Sequence, residues 1–258
     1  MILDDIAAYT RTRVEALKKY KSLYEVRDEA EGRPAGLDFK AALAAPGLSV
    51  IAELKQASPS KGLIAPDFER IYLDKARQYE EGGAAAISCL TEPKFFLGSD
   101  EYLRQVRVAV RLPILRKDFT IDEYQIYEAK CLGADAVLLI CSLLSPAQLA
   151  EHLCQAHELG MSALVEAHDA DEVGAALTAG AGIIGVNNRN LKDFSVNPLN
   201  SLRLREHIPQ DKIFVAESGI AKASDCAGLK AAGVQAVLVG EALMRSSNPA
   251  GMLREMRA

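Results

Sequence analysis

Hydrophobic residues fall along this chain in short runs, separated by polar segments whose apolar positions recur at helical spacing. The runs are SVIAEL (49–54), AAAISCL (84–90), PILRKDF (113–119), AVLLIC (136–141), SALVEA (162–167), GIIGVN (182–187), KIFVAES (212–218) and QAVLVG (235–240). Several are near-continuous in Val, Ile, Leu and Ala, as expected of parallel strands covered on both faces. Four lead-ins, EGGAAAIS, CLGADAVLLI, TAGAGIIGV and AAGVQAVLVG, place a Gly after a helical pattern and then enter a strand. Gly there is the left-handed residue that ends a helix. SPAQL (145–149) carries a Ser cap, a Pro at the first helical position and a Gln where a capping box needs it. The unit is strand, loop, helix, Gly, strand. Eight such units predict an α/β fold of the (β/α)8 TIM-barrel type in preference to an open doubly wound sheet.

The first 48 residues precede the first strand. Leu3, Ile6, Ala7, Val14 and Leu17 have helical spacing, with Arg11, Arg13, Lys18 and Lys19 beside them. They predict an extra N-terminal helical segment lying on the barrel, its basic residues forming a solvated face. EAEGRPAGLDFKAALAAPG (29–47) reads as a polar connector and a short helix, with a lid over the site as the alternative. The expected organisation is one barrel domain over residues 1–258, with 1–48 as a helical extension packed on it.

Strand side chains alternate between faces. If Ile51 faces the barrel interior, Glu53 and Lys55 do too. The same parity aligns Leu115, Lys117 and Phe119; Leu164 and Glu166; Ile183, Gly185, Asn187 and Arg189; and Ile213, Val215 and Glu217. All these polar residues fall at the C-terminal ends of strands, where barrel enzymes keep their active sites. Glu53, Glu166 and Glu217 stand against Lys55, Lys117 and Arg189, the balance a mutually paired cluster requires. One such pair would read as a rim salt bridge. Six charges from five strands point to function, because well-packed apolar residues would often be at least as stable there. Such a cluster can hold both an acid and a base near neutral pH.

Other loops add to the picture. AESGIA and LVGEAL, after strands 7 and 8, each place a Gly next to an expected helix start, where backbone N–H groups can cradle a phosphate. Ser218 adds a hydroxyl there. KQASPSKG, after strand 1, carries Ser58, Ser60 and Lys61, and its length suits a substrate loop. TEPKFFLGS (91–99) brings Phe95 and Phe96 over the barrel mouth, as a flat apolar ligand part would need or as plain packing onto the rim.

Composition narrows the class. The chain has 258 residues, 49% hydrophobic and 25% charged, enough for a substantial core. No stretch approaches the length of a membrane span, and the acidic start of MILDDIAAYTRTRVEALKK does not fit a secretory signal. A formal charge of −5 argues against nucleic acid or an anionic membrane as partner. Five scattered cysteines without a CxxC suit free thiols in a reducing cytoplasm. The four histidines form no HxxxH or HxH, so no metal site is expected.

Taken in order, IAELKQASPSKG, TEPKFFLGS, ILRKDF, LVEAHD, GVNNRNL, VAESGI and VLVGEALM resemble the successive motifs of the indole-3-glycerol phosphate synthase family, over about 200 residues from strand 1 to strand 8. The resemblance extends to the N-terminal segment. It implies conversion of 1-(2-carboxyphenylamino)-1-deoxyribulose 5-phosphate to indole-3-glycerol phosphate, CO2 and water in tryptophan biosynthesis, by a carboxy-lyase without metal or organic cofactor. By resemblance, Lys117 is the general acid of ring closure, with Lys55 helping it or holding the substrate carboxylate. Glu166 is the base of the later dehydration, and Glu53 shuttles a proton or tunes Lys117. Asn187 and Arg189 position hydroxyls or the carboxylate, and Glu217 orients the lysines. Phe96 and Phe119 grip the anilino ring. Ser218, Gly219 and Gly240 hold the phosphate, and Ser58 and Leu238 complete the substrate-binding set.

Two departures stand out. Some family members carry a Trp in the N-terminal helix near the site; this chain has no Trp, leaving Tyr9 or nothing in that place. Some carry Ser after the strand-8 Gly, where this chain has Glu241, expected to act through its backbone N–H. Rival phosphosugar barrels fit less well. A phosphoribosylanthranilate isomerase would want a Cys and an Asp where Glu53 and Asn187 stand, and paired-Asp ketose isomerases want Asp in place of Glu53 and Glu166. A Schiff-base aldolase would use inward Lys117 as nucleophile. A non-catalytic phosphate-binding barrel should have lost part of the charged set. The chain stops soon after strand 8, which does not suit a fused synthase–isomerase. A monomer is expected, with a weak homo-oligomer left open.

Overall fold

Eight parallel strands close on themselves in the computed structural model, which describes residues 2–190 and 194–258. They are β1 (Ser49–Leu54), β2 (Ala86–Leu90), β3 (Ile114–Lys117), β4 (Ala136–Ile140), β5 (Ser162–Ala167), β6 (Ile183–Asn187), β7 (Ile213–Glu217) and β8 (Ala236–Val239). Each pairs with its sequence neighbours, and β1 pairs with β8 to close the ring, Ser49 opposite Ala236. The architecture is therefore the expected TIM barrel. Strand ends are trimmed by a residue or two against the apolar runs. Ser218, for example, adopts φ +67°, which breaks extended backbone.

Alternation decides which side chains meet. Val50, Ala52 and Leu54 of β1 point outward to the helices, while Ile51 points into the barrel. The same division holds for Val137 and Leu139 against Ala136 and Leu138, and for Phe214 against Val215. Two buried layers result, one between sheet and helices and one inside the ring. The glycines of the four lead-ins, Gly83, Gly133, Gly180 and Gly233, have φ between +74° and +91°. Ser145 and Gln148 form the expected capping box.

Three helices precede β1: α1 (Ile2–Tyr20), α2 (Leu23–Glu31) and α3 (Phe39–Leu43). Val14, Val26 and Ala30 of α1 and α2 bury themselves against Tyr124, Tyr127 and Cys131 of the helix Glu123–Leu132. The basic residues of α1 are not all solvated as expected. Arg13 Nη2 donates to Asp118 Oδ2 at 2.7 Å, and Lys18 Nζ donates to Asp122 Oδ2 at 2.7 Å. These pairs fasten α1 to the loop after β3. The lid alternative for the 29–47 segment is also overturned. Phe39 and Leu43 are fully buried with Ile51, Ala86 and Ala136 of the barrel interior, and α3 packs on β1 and β2. That apolar pair plugs the barrel at the end away from the charged residues.

Truncating the plug tests its role. Phe39→Ala should cost about 3–5 kcal/mol of unfolding free energy, the range for a fully buried Phe. Urea denaturation would read the loss. A change below 1 kcal/mol, on the order of a surface substitution, would show that α3 does not close the barrel.

Candidate active site

Glu53, Lys55, Lys117, Glu166, Asn187, Arg189 and Glu217 all line one cavity of about 710 Å³ at the C-terminal mouth of the ring. Parity put the strand residues there. Glu53, Glu166 and Glu217 are buried, and the ammonium of Lys117 is mostly so. Lys117 Nζ lies 3.4 Å from Glu166 Oε2 and 3.7 Å from Glu217 Oε2. Lys55 Nζ donates to Glu53 Oε1 across the two-residue step on β1. Asn187 Nδ2 donates to Glu166 Oε1 at 3.1 Å, while its Oδ1 accepts the Arg189 N–H at 2.9 Å.

Two glycines make room for the carboxylates. A Cβ at Gly185 would collide with Glu217 Oε1, and one at Gly240 with Glu53 Oε1. Close approach is what these positions require.

The expected three-against-three pairing is corrected in one respect. Among the described residues, Arg189 makes no ion pair with the carboxylates; its Nη1 donates to the Phe194 carbonyl at 3.1 Å. A cation absent from the sequence reading stands nearer. His168 Nε2 lies 3.7 Å from Glu166 Oε1, and its Nδ1 lies 3.2 Å from Glu172 Oε2. Parity could have found it, since His168 follows Glu166 by two.

The charges set each other's titration. Burial pulls the Lys117 ammonium down, but Glu166, Glu217 and Glu53 outweigh it, and its pKa lies above that of an ordinary lysine. A Schiff-base nucleophile needs the opposite shift, so the aldolase reading is disfavoured. Burial pushes Glu166 up, yet Lys117, His168 and the Asn187 bond hold it below the usual carboxylate value. Burial works against a charged His168, but the Glu172 bond and Glu166 raise it above an ordinary histidine. Glu217 goes the other way. Burial first and the Glu166 charge second push it up to about 8. Near neutral pH the cluster thus holds a charged lysine, an ionised Glu166 and a largely protonated Glu217.

The remaining predicted residues surround this centre. Phe96 and Phe119 line the same cavity with ring centroids 5.8 Å apart. Phe95 instead packs edge-on against Tyr9 at 6.2 Å, and Lys94 sits over both rings. Tyr9 therefore serves the rim; from α1 it is Ile2, Leu3 and Ile6 that reach the cavity. Ser58 and Leu238 line it, as do Ser218, Gly219, Gly240 and Glu241. Ser218 (φ +67°) and Gly219 (φ +77°) form a left-handed pair between β7 and the helix Ala223–Ala231. Gly219 is thus in the loop and not at a helix start, whereas Gly240 directly precedes the helix Glu241–Arg245. The Glu241 carboxylate turns to Arg245 Nε at 3.2 Å and Lys61 Nζ at 3.9 Å.

Supporting residues were missed because they lie outside the inward parity or in loops. Glu92 accepts the backbone N–H groups of Lys94, Phe95 and Phe96 at 2.7–2.9 Å and so fixes the aromatic loop. Asn188 Nδ2 donates to the Ser218 carbonyl at 3.0 Å. Arg116 points outward, fully buried, and donates to Glu128 at 2.7 Å, to Asp100 at 2.9 Å and to the Gln125 carbonyl at 3.0 Å. Asp118 accepts from Arg13 and, at 2.8 Å, from Thr91. No group of three or more His, Cys, Asp or Glu among the described residues is arranged to hold a metal ion, and no described helix is long and apolar enough to cross a membrane.

A family model described as Indole-3-glycerol phosphate synthase matches residues 3–256. Proteins named Indole-3-glycerol phosphate synthase are similar over the whole chain. The one from Ruminiclostridium cellulolyticum is 54% identical, over 100% of this chain and 99% of that protein. The one from Endomicrobium trichonymphae is also 54% identical, over 100% of each. Among solved structures, 3-hexulose-6-phosphate synthase from Salmonella typhimurium superposes with a TM-score of 0.65 at 16% identity, over 81% of this chain and 97% of that one. At that identity the likeness concerns the barrel alone.

Asp118 offers a test of the scaffold under Lys117. Burial pushes its carboxyl up, but Arg13 and Arg116 win and hold it below the usual 3.8. A carboxyl lowered on folding stabilises above its unfolded pKa, and that contribution is lost as pH falls through the folded value. Asp118→Asn should cost about 3–5 kcal/mol at pH 7, because it leaves buried guanidinium charge poorly paired. Urea denaturation from pH 7 down to the acid range should show the gap from the parent narrowing below the ordinary carboxylate pKa. A gap unchanged by pH would mean the loss comes from packing.

Proposed function

The chain belongs to the indole-3-glycerol phosphate synthase family, the carboxy-lyases of tryptophan biosynthesis, and on that premise we propose a division of labour within its charged cluster. The substrate is 1-(2-carboxyphenylamino)-1-deoxyribulose 5-phosphate. The observation that carries the assignment is Lys117, charged between Glu166 and Glu217 on the cavity wall that also bears Phe119, with Phe96 beside that ring.

Ring closure needs a proton at the ketose carbonyl as the aromatic carbon attacks it. Lys117 supplies that proton. Phe96 and Phe119 hold the anilino ring flat, so that attack is near-unimolecular. The carbon–carbon bond to the carboxylate then breaks, CO2 leaves, and the electron pair restores the aromatic ring. Lys55 and Arg189 face the anionic groups of the substrate, Lys55 within reach of its partner Glu53. Dehydration removes a hydroxyl, which takes a second proton and departs as water. Glu166, ionised and held by Asn187, removes the proton that completes the indole. Glu217 orients Lys117 and, with its raised pKa, serves as a proton reserve beside it. Ser218, Gly219 and Gly240 take the phosphate through backbone groups and the Ser218 hydroxyl. Arg245 and Lys61 neutralise Glu241, which keeps its carboxylate from repelling that phosphate.

We place this chemistry in the cytoplasm, a setting that suits five free cysteines.

A fluorescence time course tests the assignment. The chain lacks Trp, so indole emission rises over a low background. Substrate without added metal should give that rise, and Lys117→Ala should lower kcat roughly 10²–10⁴-fold, the range for a general acid, with the circular dichroism spectrum preserved. Near-parent turnover by Lys117→Ala would remove the acid role from this residue.

A further inference from the structure

The reaction consumes a proton. The substrate carboxylate leaves as neutral CO2, the carbonyl oxygen takes up one proton on ring closure, and the departing hydroxyl takes a second. Only one proton returns when the indole forms. After each turnover the cluster around Lys117 is one proton short, and solvent must supply it. With substrate seated, the 710 Å³ cavity is occupied at its mouth, so the route is a question for the walls.

Behind the wall lies a second cavity of about 580 Å³, lined in part by His168, Glu172, Asp169 and Asn200. The two cavities share Leu3 and Asn187. His168 stands between them. Its Nδ1 faces Glu172 Oε2 at 3.2 Å, on the side of the second cavity. Its Nε2 is buried, has no hydrogen-bond partner among the described residues, and points at Glu166 Oε1, 3.7 Å away. Glu166 in turn reaches Lys117 Nζ at 3.4 Å through its other oxygen. The backbone of His168 is held as well. Its N–H donates to Glu172 at 2.8 Å and its carbonyl accepts from Asn200 Nδ2 at 3.1 Å.

We propose that His168 is a relay residue: it acts through Glu166 to return one solvent proton per turnover from the second cavity to Lys117. A solvent proton arriving on Glu172 moves to the free Nδ1 of the neutral ring, the Nε2 proton leaves for Glu166, and Glu166 passes it to the lysine; rotation of the ring then exchanges its two nitrogens and readies it for the next turnover. No bond other than those to hydrogen changes, and no redox partner is needed. Among the described residues, the charged groups near the ring are Glu166 on its own strand end, Glu172 and Asp169 at the following helix, and Lys117 beyond Glu166, with the largely protonated Glu217 beside that lysine. The surrounding carboxylates favour the imidazolium that forms when Nδ1 takes up the incoming proton and that then releases Nε2–H.

This inference rests on Glu166 acting as the base. His168→Gln removes the titration and keeps a polar side chain. With enzyme in excess, its single-turnover rate should stay within about threefold of the parent, since Lys117 begins protonated. Its steady-state kcat should fall about tenfold, within the range of proton-transfer effects. His168→Ala should show the same split and be rescued at least about threefold by free imidazole, which fits the vacated space. Glu172→Gln should show the split in weaker form. Equal loss in both regimes, no loss in steady state, or no response to imidazole would overturn the relay. Glu166→Gln separates the premises. If it turns over like the parent, the base assignment falls. If it is inactive while His168→Gln cycles normally, the relay alone falls.

Discussion

Everything at the barrel mouth depends on keeping the Lys117 ammonium charged among buried groups. An isolated charge there would be expelled or neutralised. Glu166 and Glu217 keep it, at 3.4 and 3.7 Å. That solution creates a second problem, because two buried carboxylates around one ammonium cannot both ionise at low cost. The structure resolves it asymmetrically. Asn187 and His168 support the ionised form of Glu166, while Glu217 Oε1 finds no partner among the described residues and its carboxyl retains a proton to about 8. A charged ammonium, an ionised carboxylate and a protonated one thus follow from one electrostatic constraint, and glycine at 185 and 240 follows from the room the Glu217 and Glu53 carboxylates occupy.

The four residues Arg116, Lys117, Asp118 and Phe119 show how alternation distributes this work. Lys117 and Phe119 face the cavity, one with an ammonium and one with an aromatic ring. Arg116 and Asp118 sit on the other parity, buried in a network with Thr91, Asp100, Glu128 and Arg13. The outward pair fixes the backbone on which the inward pair hangs, and through Arg13 it ties that backbone to α1. The N-terminal helices are therefore more than a cover. Leu3 and Ile6 close part of the cavity wall while Arg13 and Lys18 anchor the helix to the loop after β3.

Much of this was legible in the chain because period-two alternation and the glycine stops are local signals. The eight strands, the inward face of five of them, and the gathering of Glu53, Lys117, Glu166 and Glu217 at one mouth all follow from counting residues along strands. What escaped depends on partners distant in sequence. Arg13 looked solvated because nothing near it in the chain reveals Asp118, 105 positions away. The segment around Phe39 read as a lid candidate because its apolar pair finds its partners only once the ring has closed. Glu92 is a loop carboxylate whose three N–H partners appear only when the turn is formed. His168 is different. It shares the parity of Glu166 but lies one residue past the strand's end at Ala167, where alternation no longer has to hold.

The titration state of the cluster also bears on how the mouth of an acidic protein can present itself to an anion. The whole-chain charge of −5 offers no attraction, and three carboxylates at the mouth would repel. With Glu217 protonated, Glu53 paired to Lys55, and Glu166 faced by both Lys117 and His168, the wall presents little uncompensated negative charge. Arg189, unpaired with any of these carboxylates among the described residues, then becomes available to an incoming anion. Under the proposed division of labour, anion binding and acid–base chemistry draw on the same asymmetry. A group that ionised Glu217 in the empty site would weaken both at once, and the burial that prevents this is supplied by the ordinary apolar packing of β7 between β6 and β8.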